Sequence, residues 1–263
     1  MDSLVQDLHR HRYMLWSMVR ADLKQRYVGS SIGLFWSVIN PLLLILLYTF
    51  VFSVVLDVKV GVNGGAASYG IFLFAGMLPW IAFNEAITKS ATVILEHRSL
   101  VSSNQFPKVL LPLYVLISSF IHELIAVCLF VVILLAPRRP PSPLVLGLLF
   151  VFPLQLLLTL GFCLIVSSLN VFFRDVAQLT QAFLLIWFFC TPIVYPIDAI
   201  PLWVRSYFYL NPMTPLIDLY RALLLGAPLN YHGFLYFCVF TILVLLIGSK
   251  FFRRLSEDFT DFL

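Results

Sequence analysis

The sequence predicts an all-α integral membrane protein. It has six transmembrane helices, an N-terminal amphipathic helix at the membrane interface, and two short re-entrant external helices before the last span. Three observations predict it. Of 263 residues, 61% are hydrophobic and 11% charged, where a soluble domain carries about a quarter charged residues. The charges gather between long apolar runs. No series of alternating segments of about ten residues, as a transmembrane barrel needs, is present.

The elements follow in chain order. Leu4, Leu8, Leu15, Val19 and Leu23 recur at helical spacing. They predict a helix along the inner membrane surface, apolar side down, with Arg12 and Arg26 on the same side snorkelling to phosphates. A solvated basic lead that only sets topology is the alternative. His9, Arg10, His11, Arg12, Arg20, Lys24 and Arg26 interrupt this stretch, so it is not read as a signal peptide. The stretch RYVGSSIGLFWSVINPLLL, residues 26–44, then passes through small residues into a greasy segment.

Six apolar segments fall near 34–56, 70–92, 109–135, 144–169, 177–195 and 233–249. The first covers roughly 35 Å, against a hydrocarbon core of about 30 Å. Pro79 and Pro153 are expected to kink the second and fourth. With the N-terminus inside, the inner side holds 12 of the 17 Lys and Arg residues and the outer side 5, an N-in, C-in bias. The segment from Pro196 to His232 is too proline-broken to span. It predicts short helices near Pro201–Leu210 and Pro215–Leu225, with Asn211-Pro212 as a stop and Gly226 as the end. Such a pair dips into the outer half of the membrane, packed against protein.

The chemistry of the chain is sparse. No GxxxxGK[ST], HExxH or GxSxG stretch occurs. Cys128, Cys163, Cys190 and Cys238 sit in apolar runs and read as small hydrophobes. Glu85 and Lys89 are spaced to pair with each other, or to meet a polar substrate or a neighbouring span. His122-Glu123 is either an isolated pair or a proton-relay step.

Four stretches in order carry a family resemblance: RADLKQRYVGSSIGLFWSVINPLL, NQFPKVLLPL (Asn104–Leu113), NVFFRDVAQL (Asn170–Leu179), and TPIVYPIDAIP followed by LNPMTPLIDLYRALLLG. With six spans at matching places, the chain resembles the membrane subunit of ABC-2-type exporters, in the branch handling bacterial O-antigen, capsule and teichoic acid. A short external turn with Arg138 and Arg139 departs from that pattern. The resemblance implies one ABC-2-type transmembrane domain over 1–263: interface helix and gate hinge in 1–33, spans one to five in 34–195, external helices in 196–232, and span six with a cytoplasmic tail in 233–263. It implies a second copy of the chain meeting this one along the first and fifth spans, and two separately encoded ATPase subunits that bring ATP and Mg. The chain itself is expected to hold no cofactor, metal or catalytic residue and to have no nucleic-acid partner. The implied substrate is a lipid-linked polysaccharide, and the implied site is the bacterial inner membrane, among membrane lipids, with both termini cytoplasmic.

Residue roles follow from that resemblance. Val28, Gly29, Ser30, Ser31 and Gly33 resemble the cytoplasmic gate. Phe35, Trp36, Tyr48, Phe52, Phe183, Trp187, Phe188 and Tyr195 offer ring faces to sugars along a channel; interfacial anchoring by Trp36, and packing or lipid contact by the others, are the alternatives. Arg20, Lys24 and Arg26 are placed to attract a lipid pyrophosphate, or ordinary anionic lipid. Arg98, Asn104, Phe106, Pro107, Lys108, Arg174 and Asp175 lie on the two short inner loops where an ATPase would push, unless it bears on the N-terminal helix; simple topology marking is the alternative for Arg174-Asp175. Asp175 is expected to cap the fifth helix. Pro196, Asn211, Pro212, Tyr220 and Arg221 fall at the external gate. Two rival readings remain at this stage: an ABC-2-type exporter of drugs or lipids, and a membrane-embedded polyprenyl-phosphate glycosyltransferase or assembly scaffold. The second lacks the clustered carboxylates that metal-pyrophosphate chemistry needs.

Overall fold

A computed structural model describes residues 10–25, 36–55, 58, 66–102, 106–135 and 142–263. Every regular element among them is helical. In chain order these are α1 (Arg12–Gln25), α2 (Trp36–Tyr48) running into a π-helical segment (Thr49–Val55), α3 (Ala66–Glu96), α4 (Arg98–Val101) and α5 (Leu110–Leu135). A 3-10 turn (Pro143–Gly147) leads into α6 (Leu148–Phe172), which is followed by α7 (Val176–Phe189), a second 3-10 turn (Ile197–Ala199), α8 (Leu202–Phe208), α9 (Met213–Leu225), α10 (Tyr231–Ser256) and α11 (Phe259–Phe262).

Among the described residues, four stretches of helix are long and apolar enough to cross a membrane: Ser68–Glu96, Leu110–Leu135, Pro143–Phe172 and Tyr231–Ser256. Two shorter apolar helices, Leu42–Val55 and Val176–Phe189, accompany them. α3 and α6 continue through Pro79 and Pro153. The fifth predicted span is helical over a shorter length than expected. α7 stops at Phe189, because Pro192 has no N–H to give and its ring clashes with the carbonyl four residues back. Its 14 residues reach about 21 Å, where the 26 residues of α10 reach about 39 Å.

The bundle has two ends. The basal end carries Gln25, Glu96, Leu110, Phe172, Val176 and Ser256; the distal end carries Val55, Ala66, Leu135, Phe189, α8 and Tyr231. α1 docks at the basal end by Leu15 and Val19, both buried. Asp22, one helical step further on the same stripe, lies 3.7 Å from Lys89 of α3 and accepts from the Ser118 hydroxyl of α5. The apolar stripe of the interface helix is therefore covered by protein; Leu4 and Leu8 lie outside the described residues. Lys89 also pairs with Glu85 at 3.2 Å, as their spacing suggested.

α6 and α10 meet almost backbone to backbone. A Cβ added to Gly161 would lie 2.8 Å from the Val244 carbonyl carbon, and one added to Gly248 would meet the Gly161 carbonyl. Where lipid and side chains are equally apolar, such close approach supplies the dispersion contact that holds helices together. We expect Gly161→Leu and Gly248→Leu each to lower the unfolding temperature in detergent micelles by several degrees, and exposed Leu246→Ala to change it little. Unchanged unfolding in both glycine variants would show that the two helices do not touch there.

Candidate functional site

The site is built around α9. Eleven of its 13 residues are buried, including Tyr220 and Arg221. It begins after Asn211-Pro212 and ends at Gly226, whose φ of 74° is the left-handed cap that glycine takes without strain. The two short helices predicted in this stretch are found at Leu202–Phe208 and Met213–Leu225. α8 is the exposed member, with Trp203 79% exposed and its Arg205 paired to Asp198 at 3.2 Å.

Arg221 answers the break in α7. Residues 191–194 are buried yet not helical, so their carbonyls need partners. The guanidinium fork donates from Nη1 to the Pro192 carbonyl and from Nη2 to the Ile193 carbonyl, both at 2.8 Å. It lies 3.5 Å over the Phe72 ring. Gly76 makes room for it, since a Cβ there would stand 2.8 Å from Nη2. The Tyr69 hydroxyl donates to the next carbonyl, Val194, at 2.5 Å. Asn211 holds the start of the break: Nδ2 donates to the Cys190 carbonyl at 3.1 Å and to Thr191 Oγ1 at 2.8 Å. Its Oδ1 accepts from Met213 N at 3.0 Å and from Trp187 Nε1 at 2.8 Å.

Immediately before Arg221 on α9, Tyr220 joins a second buried network. Its hydroxyl lies 2.7 Å from Glu123 Oε1 of α5 and 2.5 Å from Gln155 Oε1 of α6. Gln155 Nε2 donates to Glu123 Oε2 at 2.9 Å and to the Pro79 carbonyl of α3 at 3.3 Å. Four helices thus meet through one carboxyl, one amide and one phenol.

Beside these networks runs an aromatic wall. Trp187 sits among Trp80, Phe83, Phe162 and Phe183 at ring separations of 5.2 to 6.3 Å. Tyr48 of α2 reaches Phe188 of α7 at 5.8 Å and Phe52 at 6.3 Å, and Phe52 stacks on Tyr69 at 6.4 Å.

At the basal end Lys108 donates to the Ser256 carbonyl at 2.5 Å. An ammonium there satisfies a last-turn carbonyl of α10 and meets its dipole. Burial pushes the Lys108 ammonium below its ordinary range, with Asp258 and Asp261 pulling it back up.

A family model described as "ABC-2 type transporter" matches residues 13–225. The chain belongs to the ABC-2 type transporter family. It is 32% identical to an O-antigen export system permease protein RfbA from Klebsiella pneumoniae, covering 95% of each chain. It is 31% identical to a protein of the same name from Myxococcus xanthus over 98% of each. It is also 21% identical to the polysialic acid transport protein KpsM of Escherichia coli, over 90% of this chain and 91% of that one.

The residues singled out in this ABC-2 transporter are distributed as follows. Val28, Gly29, Ser30, Ser31, Gly33, Arg26, Phe35 and Asn104 lie outside the described residues, as does the Trp36 side chain. Arg20 is exposed, stacking on the Trp16 ring at 5.4 Å, and Lys24 is exposed. Tyr48, Phe52, Trp187 and Tyr195 are half-buried and Phe188 is buried, whereas Phe183 is 58% exposed. On the basal face Arg98, Arg174 and Asp175 are exposed, and Phe106, Pro107 and Lys108 are half-buried. At the distal side Pro196 and Asn211 are half-buried and Pro212, Tyr220 and Arg221 buried.

One expectation is corrected. Asp175 makes no capping hydrogen bond, because it has helical angles, φ −71° and ψ −14°, and a capping side chain needs extended backbone. Asn170 Oδ1 instead accepts from Ala177 N at 3.0 Å. Sequence reasoning missed Gln155, Tyr69 and Asn170. For Gln155 a signal was there: a lone amide inside an apolar span.

Arg221→Lys replaces a planar fork by a point charge that cannot serve two carbonyls and a ring at once. We expect it to lower the unfolding temperature in detergent micelles and to expose position 193 to thiol labelling in an Ile193→Cys, otherwise cysteine-free chain. Arg221→Ala costs more, about 1–3 kcal/mol for each carbonyl left without a donor. Wild-type stability and labelling in both variants would remove Arg221 from this role.

Proposed function

We propose that this chain is the channel-forming membrane subunit of an ATP-driven exporter that carries a lipid-linked surface polysaccharide from the cytoplasmic to the outer side of the bacterial inner membrane. The observation that carries this reading is the similarity, nearly end to end, to O-antigen export permeases. The capsule transport relative points the same way.

In this reading all six apolar helices cross, α7 completing its passage through the segment that includes buried residues 191–194, and the basal end with both termini is cytoplasmic. Two copies form the channel. The support is the row of exposed apolar residues on α2, its π-helical continuation and α7, among them Leu43, Leu46, Phe50, Leu179, Phe183 and Ile186, faces that a single chain leaves uncovered. ATP and Mg belong to two separate ATPase subunits, which bear on the exposed basal residues Arg98, Phe173, Arg174 and Asp175. The exposed cations Arg20 and Lys24 sit where a lipid pyrophosphate would arrive.

Depleting the chain in its own host tests the reading. Surface polysaccharide is expected to fall while the lipid-linked chain accumulates inside. Undiminished surface polysaccharide, or loss of resistance to a drug instead, would contradict it. Arg174→Ala and Asp175→Ala, both at exposed positions, are expected to lower export severalfold with normal insertion of the chain. Full export by both variants would take the α6–α7 loop out of the coupling surface.

A further inference from the structure

Between α2, α3, α5 and α7, inside one chain, lies a cavity of about 600 Å³, a size within the about 300–1,000 Å³ of small-molecule sites. Its lining is segregated. Toward the distal end it is apolar and aromatic, with Tyr48, Phe74, Met77, Trp80, Leu184 and Phe188. Toward the basal end it carries Asn84, Glu85, Thr88, Ser119, His122 and Gln181. These polar residues fall together because α3 reaches its Glu96 end, and α5 and α7 leave their starts, on the same side of the bundle.

The chemistry of the polar part selects its ligand. None of the described residues lining the cavity is a Lys or Arg. Two carboxylates line it, and Glu85 is held by Lys89 at 3.2 Å, outside the cavity wall. A phosphate would meet two acids there and His122, with no Lys or Arg among the described lining. The other polar groups offered are neutral. Ser119 Oγ is buried with no hydrogen-bond partner among the described residues, a position that calls for a donor or acceptor from elsewhere. Thr88, Asn84 and Gln181 add a hydroxyl and two amides. Rings stand next to them, as hydroxyl-rich molecules with C–H faces require.

We propose that this cavity binds a neutral sugar head carrying a hydrocarbon chain, the sugar against Ser119, Thr88 and Asn84 and the chain against Met77, Leu184 and Phe188. It rests on the export reading for the source of such a molecule and deepens it: a glycolipid would be held within each subunit, by its sugar and not by its phosphate.

The test uses the full chain in nanodiscs with two photoreactive probes of equal tail length, a dodecyl maltoside and a dodecyl phosphate, each with a diazirine in the tail. The maltoside is expected to label Met77–Ile81 and Leu184–Phe188 saturably, to be displaced by excess plain dodecyl maltoside, and to exceed the phosphate probe at those positions. Thr88→Val and Ser119→Ala keep the shape of the wall and remove its hydroxyls. Each is expected to weaken labelling about fivefold, the factor for one lost hydrogen bond. Equal labelling by both probes with no effect of either variant would make the cavity a generic hydrocarbon site and overturn the proposal. So would adducts confined to exposed positions such as Leu243, or cavity labelling that vanishes on dimerisation, which would make a second copy the occupant. Saturable sugar binding in a chain whose depletion leaves surface polysaccharide unchanged would keep this site and sink the export reading.

Discussion

A helix that breaks inside a membrane protein leaves backbone carbonyls with nowhere to turn, and much of this fold answers that constraint. Pro192 ends α7 after 14 residues, about 21 Å from its start, and the chain continues as buried irregular backbone. Lipid offers no hydrogen bond. The carbonyls of Cys190, Pro192, Ile193 and Val194 are met by Asn211, Arg221 and Tyr69. Three of these four bonds come from the segment 211–221, so the break and helix α9 require each other. Gly76 is part of the same solution, because its missing side chain is the space Arg221 uses.

The second polar network fixes the depth of α9. Tyr220 meets Glu123 near the middle of α5 and Gln155 within α6, so α9 is tied to residues inside the long helices. A fully satisfied buried network rigidifies what it joins. α9 therefore belongs mechanically with α3, α5 and α6. α10 is joined to α6 by a different device, the close approach of Gly161 and Gly248, which needs no polar group. At the basal end Asp22 and Lys89 couple α1 to α3, and Lys108 couples the α5 entrance to the end of α10. The exposed loop at Arg174-Asp175 remains free of such ties to the rest of the described surface.

Much of this was legible in the sequence. Apolar runs placed the long helices, and proline and glycine placed α8 and α9 to within a few residues, because both residues act through local backbone geometry. The Glu85–Lys89 pair was legible for the same reason, being a neighbour on one helix. What was hidden is what tertiary packing decides. Trp187 and Phe183, four residues apart, share one helix face, but only the fold separates a half-buried Trp187 from a largely exposed Phe183. Arg221 was assigned to the outer side by its place between spans, whereas the structure buries it. Asp175 was favoured as a cap by type and position, yet its helical backbone prevents it and Asn170, seven residues before Ala177, takes the role. No rule based on adjacent residues sees that reach.

The account stands or falls on α9 being held inside the bundle by side chains that act as a unit. The most direct measurement is a double-mutant cycle on unfolding free energy in detergent micelles, with Tyr220→Phe, Glu123→Gln and the double variant. Residues that share one buried network are predicted to show an interaction energy of about 0.5–3 kcal/mol. Losses that add to within about 0.5 kcal/mol, as for residues that never meet, would contradict it.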